Sequence, residues 1–167
     1  MCGIFGITKK TYFNQSDVSG ATILCHRGPD NVGDWENEHI KLEHSRLAII
    51  DLTDAGNQPF EINPGKVLVF NGEIYNFQEL RKKWFDENQP WQSHSDTEVL
   101  YRGLVNKGLD CLNELNGMFA FGFYDTISNK IFLVRDRYGI KPVYYYHNGL
   151  DFIFASEQKA IAKFTGW

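Results

Sequence analysis

The chain has 167 residues, of which 43% are hydrophobic, 15% aromatic and 23% charged. This length suits a single domain, and this composition suits a folded globular protein rather than a disordered chain. The net charge of -4 at neutral pH excludes a global basic field. We therefore expect no binding to nucleic acid or to an anionic membrane surface.

Membrane and metal functions also lack support. The longest uncharged stretches, such as Leu115 to Tyr124, are about half the length of a transmembrane helix. No basic segment followed by an apolar one opens the chain, so we expect no secretory signal and a cytoplasmic location. Cys2, Cys25 and Cys111 are too few and too scattered for a disulfide framework, and the histidines lack metal-ligand spacing. We expect no metal and no other cofactor.

Helix signals follow the rules of capping. Ser16 is a possible N-cap for the first helix. Ser95 is the N-cap of the third helix, with Glu98 as its capping-box partner and Gly108 as its C-cap. The four predicted helices cover residues 14–25, 77–85, 96–105 and 156–164.

Apolar runs predict the strands. The predicted strands cover residues 4–8, two runs within 35–51, and residues 67–70, 118–124, 130–135, 143–146 and 151–155. The second run within 35–51 is Leu47 to Ile50. The strand at 67–70 leads into Asn71-Gly72, a pair typical of turns because both residues tolerate positive φ. The last four strands predict antiparallel hairpins, and the mixture of strands and helices favours one α+β domain over residues 1–167.

Cys2 is the most informative single residue. An initiator Met is removed when the next side chain is small, which would leave Cys2 first. Cys2 would then carry a thiol and a free α-amine with pKa values near 8.5 and near 8, a nucleophile and a general base on one residue. This is the chemistry of N-terminal nucleophile hydrolases, although a second-position Cys can also be a small buried residue of the first strand.

Further motifs accompany Cys2 along nearly the whole chain. They are Met1 to Gly6, His26 to Asp30, His44 to Asp51, Gln58-Pro59, Asn71 to Asn76, Ser95 to Glu98, and Arg135 to Tyr145. Together and in this order they resemble the class II glutamine amidotransferase domain, and most closely the glutaminase domain of asparagine synthetase. The resemblance implies a four-layer αββα sandwich of two antiparallel sheets between helical layers, the Ntn-hydrolase fold.

The resemblance also implies a reaction. The side-chain amide of glutamine would be hydrolysed to glutamate and ammonia through a thioester on Cys2, with the α-amine returning a proton to the departing ammonia. The Asn71 side-chain amide and the Gly72 backbone N–H would hold the oxyanion of the tetrahedral intermediate. The alternative for Asn71-Gly72 is a simple turn after a strand.

Free glutamine carries a carboxylate and an ammonium group on one carbon, so a selective pocket needs an Arg fork and carboxylates. By resemblance, Arg46 binds the carboxylate, and Leu47 and Ile50 supply pocket wall and backbone. Glu73 and Asp96 match the positions that hold the ammonium. Structural alternatives are that Arg46 snorkels from a strand, that Glu73 is a solvated turn residue, and that Asp96 complements a helix dipole.

The remaining charged residues of the motifs receive no catalytic role. We interpret Arg27 and Asp30 as a structural loop near the nucleophile. We interpret Arg135, Asp136 and Lys141 as a charged hairpin that supports the sheets.

Asparagine synthetase continues into a domain that activates aspartate through a Ser-Gly-Gly-x-Asp-Ser loop, which this sequence lacks. We therefore expect a glutaminase without a synthetase domain, either a fragment or a stand-alone chain, whose ammonia passes to a partner synthase domain or subunit. One alternative is a non-catalytic glutamine-binding regulatory module, disfavoured because Cys2 and Asn71 have little use in mere binding. Another is a hydrolase for a different amide, disfavoured by the amino-acid-shaped pair of Arg46 and Asp96.

Overall fold

The fold consists of eight strands and four α-helices within residues 1–8 and 19–166, the part of the chain that the computed structural model describes. The strands are β1 (Gly3–Thr8), β2 (Asn31–Glu36), β3 (Ile40–Arg46), β4 (Lys66–Ile74), β5 (Gly117–Asp125), β6 (Lys130–Arg135), β7 (Tyr144–His147) and β8 (Phe152–Ala155). The helices are α1 (Gly20–Ile23), α2 (Phe77–Trp84), α3 (Asp96–Lys107) and α4 (Gln158–Thr165). One sheet has the order β2-β3-β1-β8-β7 and the other the order β4-β5-β6, and every pairing is antiparallel.

Side-chain alternation along the strands produces four layers. In β4, Val67 and Val69 pack between the two sheets, whereas Leu68 and Phe70 pack against the layer of α2 and α3. In β1, Ile4 likewise belongs to the core between the sheets. Because successive side chains point to opposite faces, each sheet is buried on both sides.

The outer layer on the five-stranded sheet is built in the same way. Phe5 and Ile7 of β1 pack with Leu24 and with Ile161 of α4. The molecule is thus an αββα sandwich, which confirms the predicted α+β class and its two antiparallel sheets.

Most predicted elements are confirmed. The predicted strands at 4–8, 118–124, 130–135, 143–146 and 151–155 agree with β1 and β5 to β8 to within one residue at each end. The helices predicted at 77–85, 96–105 and 156–164 agree to within two residues, and β5-β6 and β7-β8 form the expected hairpins.

The predicted caps of α3 are confirmed in part. Ser95 Oγ accepts a hydrogen bond from the Glu98 N–H at 3.3 Å, and Gly108 ends the helix at φ 61. The reciprocal half of the capping box is wrong, because the Glu98 carboxylate instead accepts from the backbone N–H groups of Gln92 and Ser93.

One predicted strand and one predicted turn are wrong. Residues 47–50 form no strand, and β3 pairs instead with β2, which precedes it and overlaps the predicted region only at residues 35 and 36. Ile49 and Ile50 are 56% and 40% exposed, so this apolar run is not core. Asn71-Gly72 forms no turn but continues β4, where Ala120 and Phe119 of β5 pair with the two residues. A tertiary partner overrides the local turn signal there.

The predicted cap Ser16 and the first part of the helix predicted at 14–25 lie outside the described residues. Within them, α1 begins after Ser19, whose Oγ accepts a hydrogen bond from the Thr22 N–H at 3.2 Å. Across the two described ranges, no helix has both the length and the apolar character needed to cross a bilayer.

Candidate active site

A cavity of about 470 Å³ opens where the start of β1, the segment after β3, the second half of β4 and the start of α3 meet. Every residue that the sequence predicts for the site lies on its lining. These are Cys2, Arg46, Leu47, Ile50, Asn71, Gly72, Glu73 and Asp96. The fold thus gathers residues from distant parts of the chain around one space large enough for a small molecule.

The Cys2 thiol is held at this cavity by the backbone of Leu47. Its Sγ lies 3.4 Å from the Leu47 nitrogen and 3.6 Å from the Leu47 carbonyl oxygen. Burial raises the pKa of the Cys2 thiol, while the Leu47 N–H and the nearby Arg46 charge partly oppose that effect. The thiol is therefore protonated at rest, so attack on a substrate requires a base.

Arg27 fixes the main chain of the nucleophile. Its Nε donates to the Cys2 carbonyl oxygen at 2.9 Å, and its Nη1 donates to Glu157 at 2.8 Å. Arg27 therefore links Cys2 to the start of α4. The sequence placed Arg27 in a structural loop near the nucleophile, but its pattern did not reveal this direct contact.

The outer edge of β4 faces the cavity with alternate backbone groups, because β4 is an edge strand whose other side pairs with β5. At this outer edge Leu68 bonds to Phe60, the Phe70 N–H donates to Gln58 Oε1 at 2.6 Å, and the Ile74 N–H donates to Asp96 Oδ2 at 2.8 Å. The same alternation directs the Gly72 N–H off this edge, at a residue that lines the cavity.

Asn71 brings a second donor to the lining. Its side-chain nitrogen Nδ2 is buried and has no hydrogen-bond partner among the described residues. An unsatisfied buried donor costs about 1–3 kcal/mol, a cost that an incoming anionic oxygen would remove. Asn71 Nδ2 and the Gly72 N–H are thus two candidate donors on adjacent residues.

Only glycine fits at position 72. A Cβ atom there would lie 2.8 Å from Phe119 Cα and also too close to the Met118 carbonyl oxygen. The backbone of β5 could therefore not approach β4 as closely beside a larger residue.

The Arg46 guanidinium lies on the cavity lining, held from behind by the loop at 51–57. Nη1 donates to the Thr53 carbonyl at 2.8 Å and to Asn57 Oδ1 at 2.7 Å, and Nη2 donates to the Asp51 carbonyl. A Cβ on Gly56 would collide with Nη2, so a larger residue there would displace the guanidinium. Arg46 is 7% exposed, and its remaining N–H donors can bind a carboxylate.

Asp51 was missed by the sequence interpretation, yet it shapes this loop. Its carboxylate accepts from the Thr53 N–H at 2.9 Å, from the Thr53 hydroxyl at 2.7 Å and from the His94 N–H at 2.8 Å. These bonds, led by the Thr53 hydroxyl, lower the pKa of Asp51 to about 2. The ionised Asp51 ties the Arg46 loop to the start of α3.

Two carboxylates complete the lining. Asp96 is 4% exposed, and burial raises its pKa to about 6 even though the Ile74 N–H donates to it. Glu73 lies on β4, and its charge raises the pKa of Asp96 further. A ligand ammonium would stabilise both carboxylates, whereas Arg46 on the same cavity suits a ligand carboxylate.

Lys141 also lines the cavity, which corrects its predicted role as a support of the sheets. Its Nζ lies 3.1 Å from Met1 Sδ. The predicted supporting role fits Asp136 better, because the Asp136 carboxylate accepts from the backbone N–H groups of Phe119, Ile140 and Lys141 at 3.2, 2.9 and 2.9 Å.

Comparison with solved structures identifies the fold. Glutamine phosphoribosylpyrophosphate amidotransferase from Bacillus subtilis superposes with a TM-score of 0.79 at 22% identity, over 99% of this chain and 44% of that one. The αββα sandwich with a cysteine at the start of a central strand is thus the Ntn-hydrolase fold of the class II amidotransferases.

Sequence comparison identifies the family. The glutamine amidotransferase domain matches residues 1–167. Asparagine synthetase 3 of Bacillus subtilis is 37% identical over 96% of this chain and 27% of its own length, and asparagine synthetase B of Escherichia coli is 38% identical over 96% and 30%. The chain belongs to the class II glutamine amidotransferase family, as the motifs predict. It spans less than a third of the length of these two relatives.

Proposed function

We propose that this chain hydrolyses the side-chain amide of glutamine to glutamate and ammonia through a thioester on Cys2. The observation that carries the proposal is one cavity that joins a thiol, an amide donor without a partner among the described residues, and groups of both charges. These are Cys2, Asn71, Arg46 and Asp96. The family membership established above supports the same reaction.

The first step needs a base for the protonated thiol. Once Met1 is removed, the nitrogen of Cys2 becomes a free α-amine, with an ordinary pKa near 8 that allows it to accept the proton. The thiolate then attacks the amide carbon of glutamine. While Met1 is attached, that nitrogen is a peptide amide and cannot accept a proton, and Met1 itself lies on the cavity lining.

The tetrahedral intermediate places a negative charge on the former carbonyl oxygen. Asn71 Nδ2 and the Gly72 N–H would donate to this oxygen, and one such donor is commonly worth about 2.7 to 4 kcal/mol. The intermediate collapses when the C–N bond breaks and the ammonium of Cys2 returns its proton to the departing ammonia. Water then attacks the thioester, which releases glutamate and restores the thiol.

The same cavity accounts for the selection of a free amino acid. Arg46 would bind the α-carboxylate as a fork, supported by the Leu47 to Ile50 segment, while Asp96 and Glu73 would bind the α-ammonium. A non-catalytic glutamine-binding module could use the Asn71 amide as a donor to the glutamine side chain, but it would have little use for the Cys2 thiol on the same cavity.

The ammonia requires a consumer, because ammonia released into neutral water is protonated and loses its nucleophilicity. The two asparagine synthetases above are glutamine-hydrolysing by name, and residues 1–167 correspond to 27% and 30% of their lengths. We therefore propose a synthase domain or subunit as the partner that receives the ammonia.

The test compares processed protein with protein that retains Met1. A large residue inserted between Met1 and Cys2 blocks processing, and intact mass confirms both states. Glutamate release by the retained form should be slower by about 10² to 10⁴-fold, the usual contribution of a positioned general base. Replacing Cys25, which is exposed, by Ala provides the matched control and should leave the processed rate unchanged. Full activity with a blocked Cys2 would rule out the amine as base.

A further inference from the structure

Two buried side chains hold the main chain of Phe70, the residue that precedes the proposed oxyanion donors. Gln58 Oε1 accepts from the Phe70 N–H at 2.6 Å, and His44 Nε2 lies 3.1 Å from the Phe70 carbonyl oxygen. Gln58 is 6% exposed and His44 is 0% exposed. These side chains provide Phe70 with the two hydrogen bonds that a neighbouring strand would otherwise provide at the outer edge of β4.

The direction of the His44 bond is fixed by its partner. A carbonyl oxygen only accepts, so Nε2 of His44 must carry the proton. Burial lowers the pKa of His44 to about 4, so the ring is neutral near neutral pH and Nδ1 carries no proton. Nδ1 has no partner among the described residues, which leaves the bond to Phe70 as the polar contact that orients the ring.

The Phe70 carbonyl belongs to the same peptide plane as the Asn71 nitrogen. A tilt of that plane would therefore move Asn71 Cα and, through it, both the Asn71 side chain and the Gly72 N–H. Asn71 Nδ2 has no partner of its own in the described part of the chain, so its position depends on this backbone. Misplacement of a catalytic group by about 1 Å can cost on the order of 100-fold in rate.

We propose that His44 and Gln58 are positioning residues. They hold the main chain of Phe70 so that the Asn71 amide and the Gly72 N–H point at the developing oxyanion. This inference rests on the proposed glutaminase function. It differs from a purely structural role, in which both side chains would only stabilise the contact between the sheets. The two roles separate in kinetics, because oxyanion donors act on the transition state more than on bound glutamine.

The test uses His44→Leu and Gln58→Met, which each remove the side-chain bond to Phe70, and His44→Gln, whose amide can still donate to Phe70. Gln58→Met also removes the longer bond from Gln58 Nε2 to the Thr97 hydroxyl at 3.5 Å. Leu42→Ala is the control. Leu42 belongs to the core between the sheets, and its apolar side chain cannot form a hydrogen bond with Phe70. All variants are processed and assayed well below their melting temperatures, so that only folded protein is compared. Both kcat and KM for glutamine are measured.

A second measurement uses the γ-aldehyde analogue of glutamate. The Cys2 sulfur adds to the aldehyde carbon and the thiol proton passes to the α-amine of Cys2, which leaves a tetrahedral carbon whose oxygen would lie at the oxyanion position. L-glutamate, which forms no such adduct, provides the ground-state comparison.

For His44→Leu and Gln58→Met we expect kcat to fall at least about tenfold with KM within about threefold of the parent value. Affinity for the aldehyde should fall with kcat, whereas affinity for glutamate should be retained. His44→Gln should recover most of kcat, and Leu42→Ala should lower the melting temperature with kcat unchanged.

Parent-like kcat and aldehyde affinity in folded Gln58→Met and His44→Leu would overturn the inference. Should His44→Leu fail to fold, Gln58→Met decides alone. Failure of the proposed function would show differently, since the processed parent itself would then release no glutamate and bind no aldehyde.

Discussion

Individual residues at the cavity are held in states that cost folding free energy. The buried amide nitrogen of Asn71 has no partner in the described residues, and the Asp96 carboxyl is buried enough to raise its pKa to about 6. Neither arrangement is explained by stability alone, because buried polar groups in proteins are normally paired. Both are explained by a ligand that supplies an oxyanion and an ammonium.

Asp96→Asn tests this trade-off through pH. Ionised Asp96 is unfavourable in the fold, because its folded pKa of about 6 exceeds the ordinary value of 3.8. The cost is absent below about pH 4, grows between about 4 and 6, and reaches roughly 3 kcal/mol above that range. Asn at this position should therefore stabilise the protein at pH 8 but not at pH 4, as denaturant unfolding would show.

The same variant should raise the KM for glutamine at least about tenfold, because the ammonium loses an anionic partner. Asp34→Asn, at an exposed position, is the control and should change neither quantity much. A variant that is no more stable at pH 8 and keeps the parental KM would contradict the role of Asp96.

Arg46→Lys tests the carboxylate site. Nη1 and Nη2 of Arg46 both hold the loop at 51–57, so a single ammonium cannot hold that loop and also form a fork on the α-carboxylate. The KM for glutamine should rise at least about tenfold. Arg102→Lys, at a residue paired with Glu98, is the matched control and should leave KM unchanged. An unchanged KM in Arg46→Lys would show that the pocket is assigned wrongly.

Among the elements, β4 carries three of the eight predicted site residues, Asn71, Gly72 and Glu73, and turns its outer edge to the cavity. Phe70 is held by side chains, Gly72 faces the cavity, and Ile74 bonds to Asp96. An edge strand with open backbone groups is usually a liability. Here the Phe60 backbone bonds to Leu68, and side chains bond to Phe70 and to the Ile74 N–H. Among the described residues, no such bond reaches the Gly72 N–H. The open position coincides with the place where the reaction would develop negative charge.

Gly72→Ala tests the role of this edge. The added Cβ would lie 2.8 Å from Phe119 Cα, so β4 must move away from β5 and carry Asn71 with it. We expect kcat for glutamine to fall by roughly 100-fold. Gly149→Ala, at φ +93 with open space around it, should reduce stability but not kcat, as thermal unfolding and steady-state assays would show. A parent-like kcat in folded Gly72→Ala would show that the close approach of β5 to Gly72 is not needed for the reaction.

Local sequence signals predicted the elements whose formation depends mainly on residues close together in the chain. Turn residues and period-two patterns marked the β5-β6 and β7-β8 hairpins, and Ser95 marked the start of α3. Leu47 to Ile50 was misread because an apolar run at a cavity mouth has the same composition as a buried strand. Asn71-Gly72 was misread as a possible turn because only the pairing with β5 reveals a strand.

The supporting contacts could not be predicted from sequence. The loop at 51–57 binds Arg46 through backbone carbonyl groups, and Gln58 binds the backbone N–H of Phe70. No residue pattern encodes such contacts with the backbone. The eight predicted site residues follow from the family motifs, and the fold places all eight on one cavity. The residues that position these eight became visible only when the fold brought them together.

The whole molecule explains why a nucleophile can lie at the start of the chain. Strand β1 is flanked by β3 and β8 in the five-stranded sheet, so Cys2 precedes a central strand rather than a loose terminus. Arg27 and the Leu47 backbone hold it from two further elements. The sandwich then places β4 of the second sheet against the same cavity, so the proposed nucleophile and the proposed oxyanion donors come from different sheets.

The most direct test of the proposed thioester on Cys2 is to trap the acyl-enzyme. Processed protein is mixed with glutamine, quenched with acid during turnover, digested, and analysed by mass spectrometry. We expect a glutamyl adduct on Cys2 that is absent from Cys2→Ala and from protein that retains Met1. An adduct on Cys25 or Cys111 instead, or full glutamate release by Cys2→Ala, would contradict this proposal.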